Sequence, residues 1–64
     1  MNNSIVYNIT IDHENGVCNI IYGALNPFFT TDRLTYYKYD KEKRKFNDLH
    51  VDLSDVHSIQ ITRG

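Results

Sequence analysis

"IVYNITIDHENGVCNIIY" (residues 5–22) sets two apolar, alternating segments on either side of Asn15-Gly16. Within residues 5–11, Ile5, Tyr7, Ile9 and Ile11 fall on one side, and Val6, Asn8 and Thr10 on the other. Period two in β-branched and aromatic residues is the signature of a half-buried strand. Asn-Gly is the strongest two-residue hairpin signal, because both central positions of a type I′ turn need positive φ. Folding the chain about it opposes Ile11 to Ile20 and Ile9 to Tyr22 on one face. Thr10 then opposes Ile21, and Asp12 opposes Asn19, on the other. Like meets like across the pair, as stable cross-strand pairing requires. The expectation is a β-hairpin with Ile9, Ile11, Ile20 and Tyr22 in the core. The same register sets Cys18 opposite His13 on that core face.

A second hairpin lies downstream in "LTYYKYDKEKRKF" (residues 34–46), dense in aromatic rings and basic side chains. Pairing strands 33–40 and 45–53 around Glu42-Lys43 sets Leu34 against Val51 and Tyr36 against Leu49 on the buried side. On the other side Arg33 faces Asp52 and Tyr39 faces Phe46, and Asp40 meets Lys45 near the tip. One register satisfies both faces and pairs opposite charges. It leaves Tyr37, Tyr39 and Phe46 outward with Arg33 and Arg44.

Between the hairpins, "GALNPFFTTD" (residues 23–32) interrupts the alternation. Asn26-Pro27 could start one helical turn or open a turn with Pro in its second position. Phe28 and Phe29 then form either a lid over one end of the core or an exposed contact patch. Leu53 to Val56 reads as a tight turn or a single 3₁₀ turn. His57 to Thr62 alternates again, with Ile59 and Ile61 inward. The fold class is all-β: one small domain, residues 1–64, of five antiparallel strands with one short 3₁₀ or helical turn. Such a plan resembles that of small SH3-like or Sm-like barrels, in architecture only. No motif residue of a named family accompanies it, so the resemblance implies a fold and no activity. An open five-stranded meander is the alternative, its exposed edges paired between chains.

Sixty-four residues make a thin core, and chains this small usually need a staple or a partner. Cys18 is the lone cysteine, which excludes an intramolecular disulfide and a thiolate zinc knuckle. A homodimer is the simplest partner to expect. The first residues lack a basic start followed by an apolar run, and no apolar stretch approaches the ~20 residues that span a bilayer. No membrane association is expected, and a lone thiol fits a reducing cytoplasm. A bias towards Asn, Ile, Lys and Tyr resembles that of AT-rich genomes, such as low-GC bacteria and their phages.

The net charge of −1 predicts no general affinity for polyanions. Its distribution is uneven. From Arg33 to Phe46 six basic residues stand against Asp40 and Glu42, giving +4. The remainder sets Arg63 against six carboxylates, giving −5. Such asymmetry can mark an interaction surface.

Chemistry-bearing groups are sparse. A Cys18–His13 pair across the first hairpin has the residue types of nucleophilic catalysis. Burial on a core face would raise the thiol pKa and disfavour the thiolate. His50, Asp52, Asp55 and His57 offer four metal-ligand types within eight residues, without a strong spacing motif. The glycines are scattered, so no phosphate loop forms. The expectation is a non-enzymatic chain with no cofactor and no metal.

Single-stranded nucleic acid is one reading of the second hairpin, since small barrels stack bases on aromatics in a basic groove. Overall negative charge, with Asp48 and Asp52 on the same face, argues against it. Protein binding accounts for more features together, because Tyr and Arg are enriched at interface hot spots. The sequence therefore points to a protein-binding module or inhibitor with Tyr37, Tyr39, Arg44, Phe46, Phe28 and Phe29 as contact residues. An accessory protein of a phage or mobile element that occludes a site on a host protein is one instance.

Overall fold

A computed structural model describes residues 5–64. Five strands form one antiparallel sheet: β1 (Val6–His13), β2 (Cys18–Phe29), β3 (Arg33–Asp40), β4 (Lys45–Asp52) and β5 (Val56–Arg63). Their order is β4-β3-β2-β1-β5, so β4 and β5 stand at the two edges. The all-β expectation holds, and the arrangement is compatible with a small meander or barrel. No helix occurs among the described residues, and residues 53–55 form a turn closed by Val56 N–H on Leu53 C=O (3.2 Å).

β2 is the long element that joins the halves. Its first part pairs with β1, and its last part with β3. Two irregularities bend it. One follows Tyr22 at Gly23, where φ is +71°; the other is at Asn26-Pro27, where Asn26 has φ +49°. Bulges insert an extra residue and bend the strand, and proline, which has no N–H, suits such a position. The segment expected to be an irregular connection is instead a bulged strand. The bend lets side chains of the β2–β3–β4 half lie over those of the β5–β1–β2 half. Ile9, Ile11, Ala24, Leu34 and Tyr36 are buried in one cluster, with Ile21, Val51, Leu53, Val56, Ile59 and Ile61 packed against it. Full burial of Ile9, Ile11 and Leu34 contributes roughly 1.5–3 kcal/mol each.

The β3–β4 ladder has the expected register throughout, from Arg33 opposite Asp52 to Asp40 opposite Lys45. The β1–β2 ladder is slipped by one residue from the expected one. Ile9 pairs with Ile21, Thr10 with Ile20, Ile11 with Asn19 and Asp12 with Cys18. The cause is the turn. His13 N–H bonds Val17 C=O (2.8 Å) and Gly16 N–H bonds His13 C=O (3.0 Å), which makes a three-residue loop. Gly16 alone takes positive φ (+91°), and the Asn15 side-chain oxygen accepts from Val17 N–H (3.0 Å). This is the type I turn with a bulged glycine, not the two-residue I′ turn.

A one-residue slip sends side chains to the opposite face. Ile20 is 49% exposed and Tyr22 63% exposed, outside the core in which the sequence placed them. Ile21 and Ala24 take their places. Cys18 is exposed as well, on the face away from His13, so the two make no pair. Leu49 keeps its expected partner Tyr36 but is 39% exposed, because β4 is an edge strand.

Three turns meet at one pole of the sheet. Glu14 N–H bonds Asp55 C=O (2.9 Å), and Leu53 N–H bonds Asp32 C=O (3.0 Å). His13 reinforces the junction, its Nδ1 lying 3.6 Å from the Asp55 carboxylate while Nε2 accepts from the Asn19 amide at 3.1 Å. The fourth turn, residues 41–44, lies at the far end of the β3–β4 ladder, about 23 Å away at the rise of extended chain.

Candidate recognition face

The outer surface of the β2–β3–β4 half is built by strand parity. β3 directs Arg33, Thr35, Tyr37 and Tyr39 outward, and β4 answers with Asp52, His50, Asp48 and Phe46. Past the second bulge, β2 places Phe28 beside Thr35 on the same surface. Tyr39 and Phe46, paired across the strands, meet edge to face with centroids 5.0 Å apart and planes at 65°. That is the favoured geometry for two aromatic quadrupoles. The pair is nevertheless half in water, Tyr39 being 50% exposed and Phe46 59%.

Phe28 and Phe29, expected to act together, part company. They are adjacent on a strand, so they point to opposite faces. Phe28 joins the outer surface, while Phe29 pairs with Leu34 on the inner side and is exposed at its margin. Arg44 sits in the turn with φ +54°, a left-handed conformation that a side chain makes costly. The turn is held by Asp40, whose Oδ1 accepts the N–H groups of Glu42 (3.0 Å) and Lys43 (3.3 Å).

That use of Asp40 corrects one expectation. The register brings Asp40 to Lys45 and Arg33 to Asp52, but neither pair forms an ion pair. Asp40 serves its own turn, and the Arg33 guanidinium lies 3.6 Å from Asp32. Among the described residues, no carboxylate pairs with Lys41, Lys43, Arg44 or Lys45. The basic turn beside the aromatic pair keeps its charge available.

Asp52 accepts from Ser54 N–H at 2.9 Å. This bond, one from the Ser54 hydroxyl, and then the nearby charges of Arg33 and His50 hold its carboxyl below the ordinary 3.8. The four candidate metal ligands of residues 50–57 do not converge. Asp52 turns to Ser54 and Asp55 to His13, and no group of three His, Cys, Asp or Glu among the described residues could hold a metal ion. Cys18 has a different neighbour from the one expected. Its thiol is held above the ordinary 9.0, first by a hydrogen bond to Asp12, then by desolvation and by repulsion between thiolate and carboxylate. Asp12 also accepts from the Ser58 hydroxyl at 3.1 Å, a contact between β1 and β5 that no local signal announces.

Among the described residues no helix is long and apolar enough to cross a membrane. No protein-family model, curated protein or solved structure matches the chain.

Proposed function

We propose that the chain is a non-enzymatic protein-binding module that uses the outer face of β3 and β4, acting by stoichiometric occupation of its target as an inhibitor or modulator. The observation that carries this reading is the Tyr39–Phe46 pair, half exposed on regular strands beside a basic turn without ion-pair partners. Rings fixed by cross-strand contact lose little freedom on binding, which is what makes aromatic side chains effective anchors. Tyr37 and Phe28 extend the apolar area, and Arg44 supplies a planar cation at its rim. The charge points to an acidic partner surface, with the cations steering its approach. A reducing cytoplasm suits the free Cys18, and the compositional bias suits a phage or mobile-element source.

Binding of a single-stranded nucleic acid is the second reading, favoured by the same free cations next to stacking rings. Asp48 and Asp52 interrupt a phosphate track on that face. Titration of labelled oligonucleotides at ~50 mM salt separates the two, because phosphate neutralisation gives a steep salt dependence. Absence of binding tighter than ~10 μM is the expected result. Affinity capture with the wild-type chain and with a Tyr39→Ala/Phe46→Ala variant then tests the first reading. A protein retained by the former and lost with the latter supports it, and identical captures reject it.

A further inference from the structure

We propose that the outer face of the β5–β1–β2 half docks a second copy of this chain, in a two-fold pair whose β3–β4 hairpins point in opposite directions. The inference concerns the surface on the other half of the sheet from the recognition face; it shares the basic turn of residues 41–44 with that face but does not depend on the aromatic pair.

The face is unusual in its chemistry. Asn8, Thr10 and Asp12 on β1 point outward with Ser58, Gln60 and Thr62 on β5 and with Ile20 and Tyr22 on β2. Among these strand residues Asp12 alone is charged. Soluble surfaces ordinarily carry ~25–35% charged residues, whereas the centres of protein interfaces are depleted of them. Ile20 and Tyr22 stand on the β2 side of this patch, in the part of β2 that pairs with β1, and the one-residue register slip is what puts them there. Three strands of about seven residues give a footprint of ~14 × 23 Å. That is roughly 300 Å² of flat area, below the ~800 Å² per partner of a standard interface, which sets the pair among weak ones.

Charge selects the occupant. The three-turn pole carries Glu14, Asp32, Asp52 and Asp55 against Arg33, and the opposite turn carries Lys41, Lys43, Arg44 and Lys45 against Glu42, so the two ends remain opposite in sign. When two copies meet face to face with hairpins antiparallel, the basic turn of each lies towards the acidic pole of the other. A parallel pair would set like charges together. The same molecule thus offers an uncharged centre and complementary ends, the requirement of a closed isologous dimer.

Sedimentation equilibrium of the full chain tests this. A dimer is expected at tens of micromolar protein. Ile20→Lys should raise its dissociation constant at least ~30-fold, as burying a lysine within an interface does. Gln60→Lys on β5 should do the same and serves if Ile20→Lys fails to fold by circular dichroism. His50→Lys, on the opposite half, should leave the dimer intact. A Lys43→Glu/Arg44→Glu variant should dimerise poorly alone and pair with a Glu14→Lys/Asp55→Lys variant on mixing. A wild-type chain that stays monomeric at ~100 μM overturns the proposal. So does a dimer that survives both lysine substitutions on β2 and β5, or one dissociated by His50→Lys instead.

Discussion

The two hairpins reverse the chain by different devices and present different surfaces. β1–β2 turns on three residues with Gly16 in the left-handed region; β3–β4 turns on four, with Arg44 in that region and Asp40 holding the loop N–H groups. The outer surface of the first is nearly without charge, and that of the second mixes rings with charges. Turn length is the common cause. An added loop residue changes which member of each neighbouring pair faces the core, so a local backbone preference decides what the protein shows to its surroundings.

Both hairpins rely on one core, and the largest effects come from testing that. Ile9→Ala in the first and Leu34→Ala in the second should each cost about 2–5 kcal/mol in urea unfolding, with a single transition. Loss of one hairpin while the other persists would break the comparison, since it would mean two separate cores.

The turns come next. A Cβ at Gly16 meets nothing within 4 Å, so Gly16→Ala is penalised by its φ alone, about 1–2 kcal/mol. Arg44→Gly should have the opposite sign, stabilising by about 0.5 kcal/mol once the entropy of glycine is subtracted. Equal signs for the two would show that the loops are not conformationally distinct.

Smaller effects follow from the two surfaces. Asp52 has a depressed carboxyl pKa, so the stability it contributes is present above 3.8 and is lost as pH falls through the folded value. Asp52→Asn should lower the melting temperature slightly at neutral pH and leave it little changed below the folded pKa, which flattens that part of the profile. On the uncharged side, Asp12→Asn should speed alkylation of Cys18 at pH 8, because it removes the carboxylate that keeps the thiol protonated. An unchanged rate would place the control elsewhere.

The sequence revealed the register of the second hairpin because independent signals agreed. Leu34–Val51 and Tyr36–Leu49 on one face, and Tyr39–Phe46 on the other, tolerate no slip. The first hairpin lacked that redundancy. Asn15-Gly16 suits a two-residue loop and a three-residue one, and Ile20-Ile21 supplies an apolar side chain in either register. The choice is made with the bulge at Gly23 and the pairing of β1 to β5, neither of which is local. Asn26-Pro27 was legible as an interruption of pairing, yet the strand continues through it, and the alternation that separates Phe28 from Phe29 follows. On the recognition face, parity gave the positions of Tyr37, Tyr39 and Phe46. The freedom of its cations was hidden, because it depends on Asp40 bonding its own turn.

β5 pairs only with β1, through contacts such as Tyr7 to Arg63 that join nearly opposite ends of the described chain. Ile59 and Ile61 complete the flank of Ile9 and Ile11, so that flank stays open until a loop of some fifty residues has closed. Such long-range closure slows folding far more than it affects the final balance of stability. On the ribosome, β1 to β4 emerge with their seam undone, ahead of the strand that closes it.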